Sequence, residues 1–125
     1  MLGLTVRFLA GRFHATPWGR HVNEGAPEWP PSPWRLLRAF VATWKWKTET
    51  DPACSRQAVE PLLRTLAVPP HFVLPPATTG HSRHYMPWYK KGPDDRTLVF
   101  DGFVAVGKAD GGIVLWPEVT LAGPE

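Results

Sequence analysis

The chain has 125 residues, 43% of them apolar and 20% charged, with a formal net charge of +3, and this balance excludes an intrinsically disordered protein. Its length predicts one domain, residues 1–125. It contains no run of 18 apolar residues, no signal-peptide pattern and a single cysteine, Cys54, so we expect a cytoplasmic protein with no membrane contact and no internal disulfide.

The first half of the chain predicts a strand, a long loop and a helix. Apolar residues alternate over residues 2–9, as in a half-buried strand, whereas residues 11–33 show no periodicity and predict a loop. Ser32 and Pro33 suit the start of a helix that ends near Lys47. Its inward stripe is predicted to be Trp34, Leu37, Val41 and Trp44, widened by Leu36 and Phe40. We expect the first strand to lie in the middle of the sheet. Its apolar side chains are predicted to face the helix at Leu37 and Val41, and they are Leu2, Leu4, Val6 and Phe8.

The second half predicts a short helix and three strands. Residues 55–67 have helical spacing, with the inward positions Val59, Leu62, Leu63 and Leu66. Residues 71–74 predict a short strand and residues 77–93 a second loop. Residues 97–107 predict a longer strand, which a turn at residues 110–112 connects to a return strand at 113–116.

This order predicts an α+β fold with the βαββ start of a ferredoxin-like, or RRM-like, unit. The second helix and the last strand of such a unit are absent from the pattern. We therefore expect a variant of the fold or a partial unit, in which an incomplete core leaves apolar surface open to partners.

Cations, imidazoles and aromatic rings are interleaved in the first predicted loop. Positive groups neutralise phosphates, and aromatic faces stack on bases, so the loop is a candidate RNA contact. Its candidate residues are Arg12, His14, Trp18, Arg20 and His21. The alternative interpretation is a solvated loop whose Trp18 packs on the sheet.

The second predicted loop has the same character, and the helix adds a basic stripe. The candidates here are His81, Arg83, His84, Arg35 and Arg38. The alternatives are a solvated loop and a solvated helix face. His81 and His84 with the distant Cys54 are too few ligands for zinc, so we expect neither a metal nor another cofactor.

Catalysis is a separate hypothesis. Metal-independent RNA cleavage needs a base near a 2′-hydroxyl and a cation for the phosphate, and His14 with Arg12 or Arg20 could supply both.

Four segments resemble the opening of the fusion subunit of subtype I-G (formerly I-U) CRISPR–Cas systems, a RAMP protein. They are residues 11–25 (GRFHATPWGRHVNEG), 28–38 (EWPPSPWRLLR), 73–87 (VLPPATTGHSRHYMP) and 98–106 (LVFDGFVAV). In that family one chain joins a unit like the fifth Cas protein, which caps the 5′ end of the guide RNA, to a repeat-cleaving endoribonuclease like the sixth. Both units are built on ferredoxin-like folds.

The resemblance covers most of this chain but only the front of the family's N-terminal unit. It implies a guide-RNA (crRNA) binding module of a type I surveillance complex, with CRISPR repeat RNA and the other subunits as partners. The processing unit is absent from the pattern, so the resemblance does not imply an enzyme. The alternative function is a metal-independent endoribonuclease that processes repeat RNA.

Overall fold

The computed structural model describes residues 1–87, 95–107 and 111–119, which form two α-helices and six strands, so the predicted α+β class is confirmed. Two short 3-10 turns lie at Val22–Glu24 and Pro52–Cys54. In chain order the elements are β1 (Leu2–Arg7), β2 (Arg12–Phe13), α1 (Pro33–Lys47), α2 (Arg56–Thr65), β3 (His71–Val73), β4 (Ala77–Pro87), β5 (Arg96–Val106) and β6 (Gly111–Trp116).

The strands form two three-stranded sheets, with the orders β1-β6-β3 and β2-β5-β4. The chain divides into two compact units. The described residues of the first are 1–6, 30–74 and 112–119, and those of the second are 7–29, 75–87, 95–107 and 111. The assignment of residues 1–125 to one domain stays a prediction.

Helix α1 begins and ends where the sequence predicts. Ser32 is the N-cap, and its hydroxyl accepts a hydrogen bond from the backbone N–H of Arg35 at 3.2 Å. Pro33 takes the first position, where its missing N–H costs nothing. Lys45 and Lys47 lie in the last turn, where cations interact favourably with the helix dipole.

The core of the first unit lies between the β1-β6-β3 sheet and the helices. Its buried residues are Leu66, Val114, Trp116 and Val119. Partly buried side chains from β1, α1 and β3 pack against them: Leu2, Leu4, Val6, Leu36, Leu37, Phe40 and Phe72. The predicted packing of β1 in the same core as Leu37 is therefore confirmed for three of its four apolar residues. The fourth, Phe8, is part of the second unit instead.

Three predicted inward positions on the helices are wrong. On α1, Trp34 is 62% exposed and Val41 is 37% exposed. The buried face of this helix is centred on Leu36, Leu37 and Phe40, and Trp34 and Val41 lie beside that face. Leu62 of α2 is likewise 37% exposed, although Leu66 at the end of that helix is buried as predicted.

The predicted central position of β1 is also wrong for the described residues. The sheet order puts β6 in the middle, with β1 and β3 on its two sides. β6 pairs antiparallel with β3 from His71↔Leu115 to Val73↔Ile113. The strand predicted at 113–116 is thus present, but it is not the return strand of a hairpin with β5, which lies in the other sheet. The turn predicted at 110–112 falls partly outside the described residues.

The second predicted loop is wrong over residues 77–87, which form β4. This strand pairs antiparallel with β5 from Ala77↔Val106 to Pro87↔Arg96. Its polar composition hid the strand, because ten of its eleven residues are exposed and an exposed strand carries no apolar alternation. The rest of that predicted loop, residues 88–93, lies outside the described residues.

Candidate nucleic-acid interface

The β2-β5-β4 sheet of the second unit separates the predicted RNA contacts onto two faces. Residues directly opposite each other in an antiparallel pair project from the same face. The pairs Arg12↔Ala105 and Ser82↔Asp101 therefore share one face, and the pairs Phe13↔Val104 and Arg83↔Phe100 share the other. We call the first the outer face, and its residues of interest are Arg12, His14, Ser82, His84, Asp101 and Phe103.

The opposite face is covered near β2. The rings of Phe8 and Phe13 lie 5.6 Å apart, and Trp29 lies 5.5 Å from Phe8 and 6.2 Å from Phe13, all in tilted arrangements. Val104, on the same face of β5, is 1% exposed. This aromatic cluster covers the back of the sheet near β2, so at that end of the sheet the outer face is the accessible one.

Two imidazoles flank one carboxylate on the outer face. His14 Nε2 lies 3.8 Å from Asp101 Oδ1, and His84 Nε2 lies 3.7 Å from Asp101 Oδ2. The side chains of His14, His84 and Asp101 are 53%, 48% and 27% exposed. Two histidines predicted from different loops are therefore brought together by β5. All three side chains remain open to solvent.

Arg12 and Phe103 form a second pair on the outer face. The Arg12 guanidinium carbon lies 5.6 Å from the centre of the Phe103 ring, within cation–π range. Gly80 lies opposite Phe103, and a Cβ atom there would be only 2.8 Å from the ring. The absence of a side chain at Gly80 thus lets the ring lie across β4.

His81 and Arg83 lie on the other face and contact Phe100. The His81 ring stacks on Phe100 at 4.7 Å with an interplanar angle of 22°, and the Arg83 guanidinium carbon is 5.4 Å from the Phe100 ring centre. Gly25, at φ 63°, packs on the same ring, and any Cβ atom at Gly25 would overlap it. The structure therefore does not place His81 and Arg83 with His14 and His84.

The loop candidates have separate environments within the second unit. Arg20 Nη1 is 3.0 Å from Glu24 Oε2 in an exposed ion pair. His21 caps the turn Val22–Glu24, since its Nδ1 accepts from the Asn23 N–H at 3.3 Å. Trp18 is 88% exposed, which contradicts the alternative interpretation that it packs on the sheet. Its stacking on a base stays a prediction.

Arg35 and Arg38 lie on exposed positions of α1 in the first unit. The same helix has the Lys45 ammonium 4.7 Å from the Trp44 ring. A cavity of about 410 Å³ also lies in this unit, lined in part by Val68, His71 and Trp116, and none of the predicted RNA contacts lines it.

Reasoning from the sequence missed three residues of the two faces. Asp101, Phe100 and Phe103 are the groups that the predicted histidines and arginines contact. Asp101 could have been singled out because it is a carboxylate inside a strand that is otherwise apolar. A charged group at a half-buried strand position usually has a partner. Nothing in the spacing indicated the pairing with β4.

Within the described part of the chain, no group of three His, Cys, Asp or Glu side chains could hold a metal ion. The helices found there are all too short or too polar to cross a membrane. No protein-family model, curated protein or solved structure matches the chain.

Proposed function

We propose that the chain is a single-stranded RNA-binding module and that the outer face of the β2-β5-β4 sheet is its contact surface. The observation that carries this proposal is that Arg12, His14 and His84 share one accessible sheet face with Phe103. A sheet face with cations for phosphates and an aromatic ring for a base is a common way to bind unpaired strands.

The charge distribution supports an anionic partner. Residues 1–47 carry seven Arg and Lys against two Glu, whereas residues 97–125 carry one Lys against four acidic residues. We propose further RNA contacts at Arg35 and Arg38 of α1 and at Trp18 in the loop before this helix. His21, Arg20, His81 and Arg83 stay in the proposal as contacts outside the outer face.

The resemblance of the four sequence segments supports a narrower identity for the strand. We propose that it is the guide RNA of a type I CRISPR–Cas surveillance complex, with the other subunits of that complex as protein partners. This function accounts for an exposed, phosphate-directed surface without requiring a catalytic group in the chain.

The connectivity of the first unit supports a ferredoxin-like fold. Along the chain, the elements β1, α1, α2, β3 and β6 follow the order βααββ, which is the βαββ start of a ferredoxin-like unit with one additional helix, α2. The last of these strands, β6, lies between the other two in the sheet. We propose that this is the first half of a ferredoxin-like unit, with the β4–β5 hairpin inserted between its second and third strands.

A salt titration of binding tests the proposal. We expect labelled single-stranded repeat RNA to bind with a logarithmic salt slope of about −0.7 for each phosphate contacted. Arg12→Ala should lower the affinity and reduce that slope by about one such step. Arg56→Ala removes the same charge from α2 and should change neither. Binding that ignores salt, or no binding, contradicts the proposal.

The endoribonuclease alternative is favoured by one observation, the placement of two imidazoles beside Asp101. In such a reaction one histidine takes the 2′-hydroxyl proton while the 2′-oxygen bonds to phosphorus. The bond from phosphorus to the 5′-oxygen breaks, and the second histidine protonates that oxygen. Loss of cleavage in both His14→Ala and His84→Ala, with binding intact, would establish this alternative. Wild-type protein that binds repeat RNA and leaves it uncut excludes it.

A further inference from the structure

Asp101 is an unexpected group on a surface proposed to bind phosphates. Its carboxylate lies between His14 and His84, and it repels a phosphate placed there. A negative group is retained at such a place when it has another partner, either within the protein or in the ligand. The geometry distinguishes these two roles.

Neither imidazole lies within the usual hydrogen-bond length of the Asp101 carboxylate. The separations of 3.8 and 3.7 Å exceed the lengths of about 2.7–2.9 Å that hydrogen bonds between charged groups adopt. At separations of 3.8 and 3.7 Å, a single oxygen atom can lie within hydrogen-bond distance of both the nitrogen and the carboxylate oxygen of a pair. Asp101 is also more than a quarter exposed, so such an atom can reach it from solvent.

The chemistry of the two partners defines that atom. With the proton on Nε2, each imidazole donates while a carboxylate oxygen only accepts, so a group that bridges them accepts one hydrogen bond and donates another. Water does both in the free protein, and a hydroxyl is the group of a nucleic acid that can replace it. A phosphate oxygen cannot donate to the carboxylate, and the amino group of a base is a poor acceptor.

The neighbours of Asp101 point to a ribose hydroxyl. Phe103 is two residues further along β5 on the same face, about 6–7 Å away at the usual rise of a strand. Phe103 offers a ring face on which a base can stack next to that ribose, and the Arg12 guanidinium, which lies over the same ring, can neutralise a phosphate. The 2′-hydroxyl is the group that distinguishes RNA from DNA.

We propose that Asp101, flanked by His14 and His84, binds the 2′-hydroxyl of an internal ribose and makes the module selective for RNA over DNA. This inference rests on the proposed RNA-binding function. A terminal ribose offers the same hydroxyl chemistry through its 2′,3′-diol, so the source of the hydroxyl is tested as well.

Fluorescence anisotropy with three strands of one sequence tests the proposal: RNA, DNA, and RNA methylated at every 2′-oxygen. Wild-type protein should bind the RNA at least about tenfold more tightly than either of the others, since a hydrogen bond to a charged group is lost in both. The methylated strand is informative because its 2′-oxygen still accepts but cannot donate. Ending the RNA in a 2′,3′-dideoxynucleotide removes both terminal hydroxyls and should change nothing, and loss of selectivity with that strand would overturn the internal assignment.

Asp101→Ala should bring the affinities for RNA and DNA within about twofold of each other, while DNA binds at least as tightly as before because a repelling charge is gone. Asp101→Asn, which keeps the shape of the side chain, should lose part of the selectivity. Glu49→Gln, which removes an exposed carboxylate from the first unit, should keep it.

Two results would overturn the inference while leaving RNA binding in place. One is a wild-type protein that binds RNA and DNA equally. The other is an equal loss of both affinities in the two Asp101 variants, which would show that Asp101 only supports the sheet. Failure of the wild type to bind any strand would instead defeat the proposed function.

Discussion

At the scale of single residues, Trp116 is the side chain on which the first unit most depends. It is 2% exposed, and its indole N–H donates to the carbonyls of Leu66 and Val68 at 3.2 and 3.0 Å. It therefore joins β6 to the segment after α2 by packing and by a shared hydrogen bond. Nearby Val114 and Val119 complete its environment.

Truncating Trp116 should destabilise the protein strongly. We expect Trp116→Ala to lower the free energy of unfolding by about 3–5 kcal/mol, from lost burial and the cavity that remains. Trp46→Ala is the matched control, because Trp46 is 83% exposed, and it should change stability by at most about 0.5 kcal/mol. Urea denaturation measures both. Similar values for the two variants would contradict the packing described for the first unit.

Gly80 is the second residue with a specific role, because it leaves space for the Phe103 ring. A Cβ atom at this position would be 2.8 Å from two carbons of the Phe103 ring, closer than such atoms approach. Gly80→Ala should therefore move the ring off β4 and weaken RNA binding severalfold. Thr79→Ala, on the other face of β4 opposite Val104, should leave binding unchanged. An undiminished affinity in Gly80→Ala would show that Phe103 does not stack on the RNA.

At the scale of elements, α2 is stabilised by a charge cluster with a defined pH dependence. Arg64 Nη2 donates to Glu60 Oε1 at 2.7 Å, and Arg56 Nε donates to Oε2 at 2.8 Å. The hydrogen bond from Arg64, followed by that from Arg56, holds the pKa of Glu60 below its ordinary value. The cluster therefore stabilises the folded state above the carboxyl's unfolded pKa and loses this effect as the pH falls through the lowered pKa.

Glu60→Gln should lower the melting temperature slightly at neutral pH and not at all in acid below the lowered pKa. The effect is small because the carboxylate is 31% exposed and solvent screens both pairs. Thermal melts of the variant and the wild type across this range measure it. A difference that persists unchanged in acid would mean that Glu60 acts through packing rather than through charge.

Some elements could be predicted from the sequence because their signals are local. The Ser32 side chain caps the first turn of α1 and Pro33 occupies its first position, so both signals lie next to the helix in the sequence. The helix begins and ends as expected. The partners of a strand are not local. The pattern of β6 indicated a strand correctly, but its pairing with β1 and β3 depends on residues about 40 or more positions away. β4 was missed because its side chains are exposed on both faces.

The candidate site divides in the same way. Reading the residue types found the cations and imidazoles, such as Arg12, His14 and His84. Only strand register shows that His14 and His84 meet at Asp101, while His81 and Arg83 project from the other face. Side chains alternate between the two faces of a strand, so His84 would have been separated from His81 and Arg83 if residues 77–87 had been recognised as a strand.

At the scale of the whole molecule, the two units contain different features. The first unit holds the βααββ order proposed to start a ferredoxin-like fold, and the second holds the outer face proposed to bind RNA. Cations occur in both, with Arg12 in one and Arg35 and Arg38 in the other. We propose that the outer face of the second unit is the principal contact with the RNA strand.

An NMR titration of the isotope-labelled protein with unlabelled single-stranded RNA tests this claim most directly. Saturable shifts should appear at the backbone amides of Arg12, His84 and Phe103 and at the ring signals of His14 and His84. The ring signals of Phe8 and Trp29, packed behind the sheet, should change least. Shifts confined to other surfaces, or no saturable shift at any RNA concentration, would contradict the account.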